Sequence, residues 1–146
     1  MNGLRYLELL QRRFMPVVEQ WEGFEGIIFM QDGAPPHWDL NVRNWLDEHF
    51  LGRWMGRGSW NLPWPPNSLD LTPCDFFLWG YIKSIVYRTQ PQSLDDLQAR
   101  IQDAFNQLPQ EIIDRAIVCY QRRLERCIDV DGRNVEQAYS DEGNFL

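Results

Sequence analysis

Apolar residues recur along the chain in two patterns, one typical of helices and one typical of strands. In residues 4–21 they recur at spacings of three and four, which predicts an amphipathic helix. Pro16 is expected to kink or split this helix, because its ring clashes with the preceding turn. Residues 27–30 are instead a short unbroken apolar run that ends at Asp32 and Gly33, with two prolines following. This run predicts a buried strand with Asp32 at its carboxyl end.

The rest of the chain predicts mostly helices. We expect helices over residues 38–50, 93–108 and 110–129, and a short strand at 53–55. Residues 59–68 are rich in Trp, Asn and Pro and predict a loop. Thr72, Pro73 and Asp75 form a strong helix start, and the helix that follows to residue 86 is apolar nearly all round, so it should lie deep. The inner stripe expected for the last helix comprises Ile112, Ile113, Ala116, Ile117, Tyr120, Leu124 and Ile128.

Two acidic residues, Asp32 and Asp75, lie at positions that suit a catalytic or metal-binding site. Asp32 follows a strand and Asp75 opens a helix, and the 42 residues between them are enough chain to return to the same end of a sheet. Paired carboxylates suit Mg²⁺ or Mn²⁺, which can stabilise the attacking and leaving oxygens of a phosphodiester. Two simpler interpretations stay open: Asp32-Gly33 as ordinary turn chemistry, and Asp75 as a helix-stabilising acid with no catalytic role.

Composition and charge narrow the function classes. A length of 146 residues predicts one domain, and 44% hydrophobic residues predict a globular protein. A net charge of −7 argues against broad electrostatic binding of nucleic acid. Three cysteines without CxxC spacing indicate neither a disulfide framework nor a zinc site. With no signal peptide and no apolar run long enough for a membrane span, we expect an intracellular protein.

Three segments resemble the Tc1/mariner transposases: QDGAPPH at residues 31–37, VRNWLD at 42–47, and WPPNSLDLTPCDFFLWG at 64–80. The resemblance spans nearly the whole chain. It implies an RNase H-like catalytic domain with an acidic triad that uses Mg²⁺ or Mn²⁺ to cleave and transfer DNA strands. It also implies transposon-end and target DNA as partners, a homo-oligomer, no membrane association and a nuclear location.

The resemblance also assigns individual residues. Asp32 is similar to the second acid of the triad and Asp75 to the third, so both are candidate catalytic residues and metal ligands. Asp70 corresponds to a residue that fixes the loop before the helix. His37 lies near the site in the resemblance, but it is equally plausible as a helix-start residue bonded to nearby backbone. Leu69 replaces the family's usual Pro, and the 42-residue separation exceeds the family's commonest spacing.

The first acid of the triad has no counterpart, because no Asp precedes Asp32. Only glutamates lie upstream, on the predicted first helix or the turn after it: Glu8, Glu19, Glu22 and Glu25. We therefore predict an α/β chain with an incomplete RNase H-like fold, in which the first three strands are missing. It should be helix-rich with a short two-strand parallel remnant, residues 1–130 forming the partial domain and 131–146 a polar tail. We expect such a chain to be inactive alone; the alternative is a non-catalytic interaction protein that binds protein partners or nucleic acid.

Overall fold

The chain forms two compact units, Met1–Asn67 and Ser68–Leu146. The structure, a computed structural model, describes residues 1–65 and 71–131. Asp70 and the predicted polar tail, apart from Asp131, lie outside the described residues. None of the described helices combines the length and the apolar character needed to cross a membrane.

The first unit begins with the predicted amphipathic helix, which continues through Pro16. Helix α1 (Gly3–Leu9) runs into a π-helical turn (Leu10–Phe14) and then into α2 (Met15–Val18). The Met15 N–H reaches back to the Leu10 carbonyl, one residue further than in an α-helix. The wider turn precedes the proline that cannot donate to the ladder, so the chain absorbs Pro16 without a break.

Three short strands form a parallel sheet in the order β1 (Phe29–Met30), β2 (Trp54–Gly56) and β3 (Leu62–Pro63). The sequence predicted β1 and β2 as a two-strand remnant. The third strand lies inside the segment predicted to be a loop. The prediction missed β3 because its Pro-rich sequence carries no strand pattern, and backbone pairing to β2 alone defines it.

Only residues 57–61 connect the parallel strands β2 and β3, whereas parallel neighbours usually need a much longer crossover. Buried Ser59 makes this tight return possible. Its hydroxyl donates to the Trp54 carbonyl at 2.8 Å and accepts the Leu62 N–H at 3.1 Å. The backbone carbonyl of buried Trp54 and the N–H of partly buried Leu62 are thereby satisfied without a longer loop.

The core of the first unit is aromatic. A short 3₁₀ turn (Pro35–Trp38) leads into α3 (Leu40–His49), and the Asp39 carboxylate accepts the Asn41 N–H at the start of α3. Phe50, fully buried after α3, contacts four other rings. These are Phe14, Phe24, Phe29 and Trp45, with centroid distances of 5.6–6.3 Å. These ring contacts pack the first helix and α3 against β1.

The second unit is helical in its described part. A π-helical turn (Cys74–Leu78) precedes α4 (Trp79–Val86), followed by α5 (Leu94–Asn106) and α6 (Gln110–Asp129). The predicted caps are confirmed: the Thr72 hydroxyl accepts the Asp75 N–H at 3.3 Å, and the Ser93 hydroxyl accepts the Asp96 N–H at 3.1 Å.

Two predictions about burial in this unit are wrong. Helix α4 packs on α5 through Ile82, Val86 and Ala104, but Trp79 of α4 is 46% exposed. Helix α5 therefore covers one side of α4 and does not surround it, although α4 is apolar nearly all round. In α6 Ala116 is buried as predicted, whereas Ile128 is 77% exposed. Among the described residues at the end of α6, Cys127 and Val130 are buried instead, since the covered side of a long helix depends on its partners.

Candidate functional site

Asp32 lies at the carboxyl edge of the parallel sheet, as the sequence predicted. The Gln31 N–H donates to the Met55 carbonyl at 3.0 Å, which extends the pairing of β1 with β2 by one residue. The chain then leaves the sheet in a turn closed by the Asp32 carboxylate, whose Oδ1 accepts the Ala34 N–H at 3.0 Å. The turn-chemistry interpretation of Asp32 is therefore correct as local structure, and it also fixes where the carboxylate lies.

His37 lies against the same carboxylate. Its Nδ1 is 2.5 Å from Oδ1 of Asp32, and both side chains are about one-quarter exposed. The 3₁₀ turn brings His37 back over the strand end, with the His37 N–H donating to the Ala34 carbonyl at 2.9 Å. The structure thus brings Asp32 and His37 together, and the histidine bonds the candidate ligand itself rather than backbone alone.

Sequence reasoning assigned no role to two residues that hold this loop, Gln31 and Tyr6. The Gln31 side chain is only 4% exposed. Its Nε2 donates to the His37 carbonyl at 3.1 Å, and its Oε1 accepts the Tyr6 hydroxyl at 3.1 Å. The Tyr6 ring also packs on the His37 ring at a centroid distance of 4.5 Å. A glutamine directly after a predicted strand, and a tyrosine four residues before apolar Leu10 on the predicted first helix, were the sequence signals that could have found them.

The surroundings of the Tyr6 phenol favour its neutral form. Burial, with a smaller contribution from the nearby Asp32 carboxylate, raises the pKa of Tyr6 above its ordinary value. The hydroxyl therefore remains a donor to Gln31 at any physiological pH. Four residues, Tyr6, Gln31, Asp32 and His37, are joined by these hydrogen bonds, with Gln31 bonded to the His37 backbone carbonyl. We call them the strand-end network.

Asp75 lies in the second unit, in the first turn of the π-helical segment. Its carboxylate accepts a hydrogen bond from the Thr72 hydroxyl, while Thr72 itself is buried and Asp75 exposed. Partial burial, and then the Asp75 carboxylate, raise the pKa of the neighbouring Cys74 thiol. The helix-start interpretation of Asp75 is thus correct locally. Because the two acids belong to different compact units, their convergence stays a prediction, and Asp70 lies outside the described residues.

The donor atoms of the first unit suit part of a Mg²⁺ or Mn²⁺ site. Asp32 receives its two carboxylate contacts on Oδ1, so Oδ2 is the oxygen free to bind a cation within the described residues. Mg²⁺ commonly takes one or two carboxylates and completes its shell with water and phosphate oxygens. Within residues 1–65 and 71–131, no three His, Cys, Asp or Glu side chains converge as a ligand set. Asp32 therefore fits as one ligand, and the described residues do not form a complete site.

Two transposases are similar to the chain in sequence. It is 26% identical over 132 residues to the transposable element Tc1 transposase of Caenorhabditis elegans, and 24% identical over 132 residues to the Tcb2 transposase of Caenorhabditis briggsae. Each match covers 90% of this chain but 45% of the relative. The chain thus spans about half the length of these curated relatives. No protein-family model matches the chain.

The fold is similar to that of the Mos1 transposase catalytic domain. Two structures of that domain with raltegravir, one with Mg and one with Mn, match with TM-scores of 0.73 and 0.66. Sequence identities are 23% and 24%, and the matches cover 91% of this chain and 64% of each solved chain. The predicted fold class is therefore confirmed: α/β, RNase H-like and partial, with three parallel strands where two were expected.

Proposed function

Because this chain is Tc1/mariner-like in its sequence and shares the fold of a transposase catalytic domain, we propose that it is part of a DNA strand-cleavage and strand-transfer enzyme. Residues 1–130 correspond in this proposal to a portion of the catalytic domain. Its partners in the complete enzyme are transposon-end and target DNA, and its place of action is the nucleus. The observation that carries the proposal is Asp32, held at the carboxyl edge of a parallel sheet by its own turn and by His37.

In the complete enzyme, Asp32 and Asp75 are the proposed ligands of Mg²⁺ or Mn²⁺. The cation supplies activation of the attacking oxygen and stabilisation of charge on the phosphodiester. This chain's own residues position the ligand: the Ala34 N–H and the His37 imidazole both bond Oδ1 of Asp32, which leaves Oδ2 for the cation. Gln31 keeps the loop closed on the strand end.

The chain by itself should not cleave DNA. Of its upstream glutamates, Glu8 pairs with Arg12 at 3.0 Å and Glu25 lies 3.8 Å from Arg53. Neither belongs to a three-ligand cluster with Asp32 among the described residues. We expect no nicked product from supercoiled DNA in millimolar Mg²⁺. Nicking that persists through purification and disappears in Asp32→Asn would contradict this part of the proposal.

Metal binding can be measured directly on the 146-residue chain. We expect Mn²⁺ to broaden the backbone amide NMR signals of residues 31–34, because a paramagnetic ion at Oδ2 of Asp32 lies close to them. The broadening should disappear in Asp32→Asn. Glu48→Gln is the matched control, since it removes the same charge from an exposed position on α3.

Two outcomes contradict the ligand assignment. One is the absence of any broadening near residue 32 at millimolar Mn²⁺. The other is equal broadening in the wild type, Asp32→Asn and Glu48→Gln, which would indicate diffuse cation attraction to an acidic chain with net charge −7. Selective broadening near residue 75 that is lost in Asp75→Asn would support the second ligand independently.

A second candidate function is a non-catalytic interaction protein, which could also form a homo-oligomer. It is favoured by large apolar side chains exposed in the second unit, among them Trp79, Ile117 and Val118. Scattered exposed apolar residues are normal, whereas a contiguous exposed apolar patch indicates a protein contact. Sedimentation velocity tests self-association: a concentration-dependent dimer weakened by Trp79→Ser supports this candidate, and a monomer at all concentrations contradicts the homo-oligomer.

A further inference from the structure

Two arginines stack on one exposed tryptophan in the first unit. The guanidinium carbon of Arg43 lies 4.0 Å from the centroid of the Trp38 ring, and that of Arg57 lies 4.7 Å from it. Trp38 is 38% exposed, and Arg57 is exposed as well. A guanidinium that stacks on an aromatic ring keeps its in-plane N–H groups free for an anion. We call these three side chains the Arg-Trp cluster.

The backbone around the cluster fixes its geometry. Arg43 Nε donates to the Trp38 carbonyl at 3.2 Å, so the α3 side chain is tied to the end of the 3₁₀ turn. Gly58 lies against the Trp38 ring in the left-handed region (φ +87°), where a side chain would be strained and would overlap the indole. A close approach of backbone and ring is therefore built into this position. Arg43 is thereby held at the ring, and the Arg57 guanidinium lies over the same ring.

The cluster borders the strand-end network. Trp38 directly follows His37 in the 3₁₀ turn, and a Cβ placed on Gly33 would lie 3.8 Å from Cδ of Arg57. Arg57 thus passes over the residue that follows Asp32. An anion held by Arg57 would lie beside the candidate metal ligand.

The acids around Arg43 are engaged elsewhere. Asp39 and Asp47 lie one helical turn before and after it, but Asp39 accepts the Asn41 N–H at 2.9 Å and Asp47 accepts the Trp54 indole N–H at 2.8 Å. Within the described residues, neither Arg43 nor Arg57 forms an ion pair with a carboxylate. Arg53 differs, since it donates to the carbonyls of Phe24 and Ile27 and has a structural role.

We propose that the Arg-Trp cluster binds backbone phosphates of DNA beside Asp32. Two guanidiniums that lie over one ring without acidic partners among the described residues form a local cationic site on a chain of net charge −7, and guanidiniums bind phosphate oxygens in a bidentate manner. Acidic surroundings make such binding weak, and two phosphate contacts give log affinity a slope of about −2 against log salt. The identity of DNA as the phosphate source rests on the proposed function; the presence of an organised anion site does not.

The test is fluorescence anisotropy of a short labelled DNA duplex titrated with the full chain at a series of low salt concentrations. We expect Arg43→Ala and Arg57→Ala each to weaken binding about tenfold. Each should also reduce the slope of log affinity against log salt by about 1, as expected for one lost phosphate contact. Trp38→Leu keeps the charge but releases both guanidiniums, so it should weaken binding by about three- to tenfold with the slope retained.

Arg13→Ala is the matched control, because Arg13 is an exposed arginine in the π-helical turn of the first unit and its loss changes the net charge equally. Circular dichroism of each variant checks folding. Arg57→Ala is the substitution least able to disturb the fold, because Arg57 is exposed. An Arg13→Ala effect equal to that of Arg57→Ala, an unaffected Trp38→Leu, or no binding by the wild type at low salt would overturn the proposal. Binding of inorganic phosphate that is lost in Arg57→Ala, with no binding of duplex DNA, would support an anion site but refute DNA as its ligand.

The assay contains no divalent cation and measures no cleavage. If duplex DNA does not bind while Mn²⁺ broadens the signals near Asp32, only the proposed phosphate binding by the Arg-Trp cluster is refuted. The reverse result would refute the metal assignment alone.

Discussion

Substitution of Gln31 by leucine tests the strand-end network most directly. Gln31 is almost completely buried, and leucine has a similar volume, so packing is nearly preserved while both side-chain hydrogen bonds are lost. The His37 carbonyl and the Tyr6 hydroxyl then lose their 3.1 Å partners. A polar group left unsatisfied in a largely buried position costs about 1–3 kcal/mol. Because both groups are only partly shielded, we expect Gln31→Leu to lower the free energy of unfolding by about 2–4 kcal/mol.

Urea unfolding followed by tryptophan fluorescence suits this measurement, because six of the seven tryptophans lie in the first unit. Gln11→Leu makes the same chemical change at an exposed position of the first helix and should stay within about 0.5 kcal/mol of wild type. Tyr6→Phe removes the hydroxyl that Gln31 accepts. The double variant should lose about 1 kcal/mol less unfolding free energy than the sum of the losses in the two single variants.

Two results would refute this reasoning. Gln31→Leu within about 0.5 kcal/mol of wild type would mean that water satisfies both partners, so the glutamine does not close the loop. Strict additivity of Gln31→Leu with Tyr6→Phe would mean that the hydrogen bond between them contributes nothing, whatever the size of the single effects.

Three further predictions concern packing, strand pairing and pH. Phe50→Ala should cost about 3–5 kcal/mol in urea unfolding, because a fully buried ring with four aromatic neighbours leaves a cavity; a cost below about 1 kcal/mol would contradict the aromatic core. Ser59→Ala removes the hydroxyl that accepts the Leu62 N–H, so hydrogen exchange at Leu62 should accelerate about tenfold or more while exchange at Phe50 stays unchanged. A hydrogen bond from Arg100 lowers the pKa of Asp96 below its ordinary 3.8, so its contribution to stability is present above that value and is lost as the pH falls through the lowered pKa. Asp96→Asn should make the unfolding temperature less dependent on pH in the acid range. An unchanged pH dependence would contradict the assignment.

The sequence alone determined the elements whose causes are local. Helix α6 begins and ends where the pattern predicted, and Thr72 and Ser93 cap their helices, because a cap bonds amides only a few residues away. Asp32 at a strand end followed from an apolar run, a turn dipeptide and two prolines. The RNase H-like class came from three motif segments, and similarity in fold and sequence confirms it.

Tertiary structure decided what depends on residues distant in sequence. Strand β3 exists because backbone groups of Leu62 and Pro63 find β2, a pairing that no side-chain periodicity encodes. The Tyr6–Gln31 bond joins residues 25 apart, and the Arg-Trp cluster joins the 3₁₀ turn, α3 and the connection after β2. The covered sides of α4 and α6 were likewise set by partners, since burial is a property of the packed neighbours and a hydropathy pattern states only which sides could be buried.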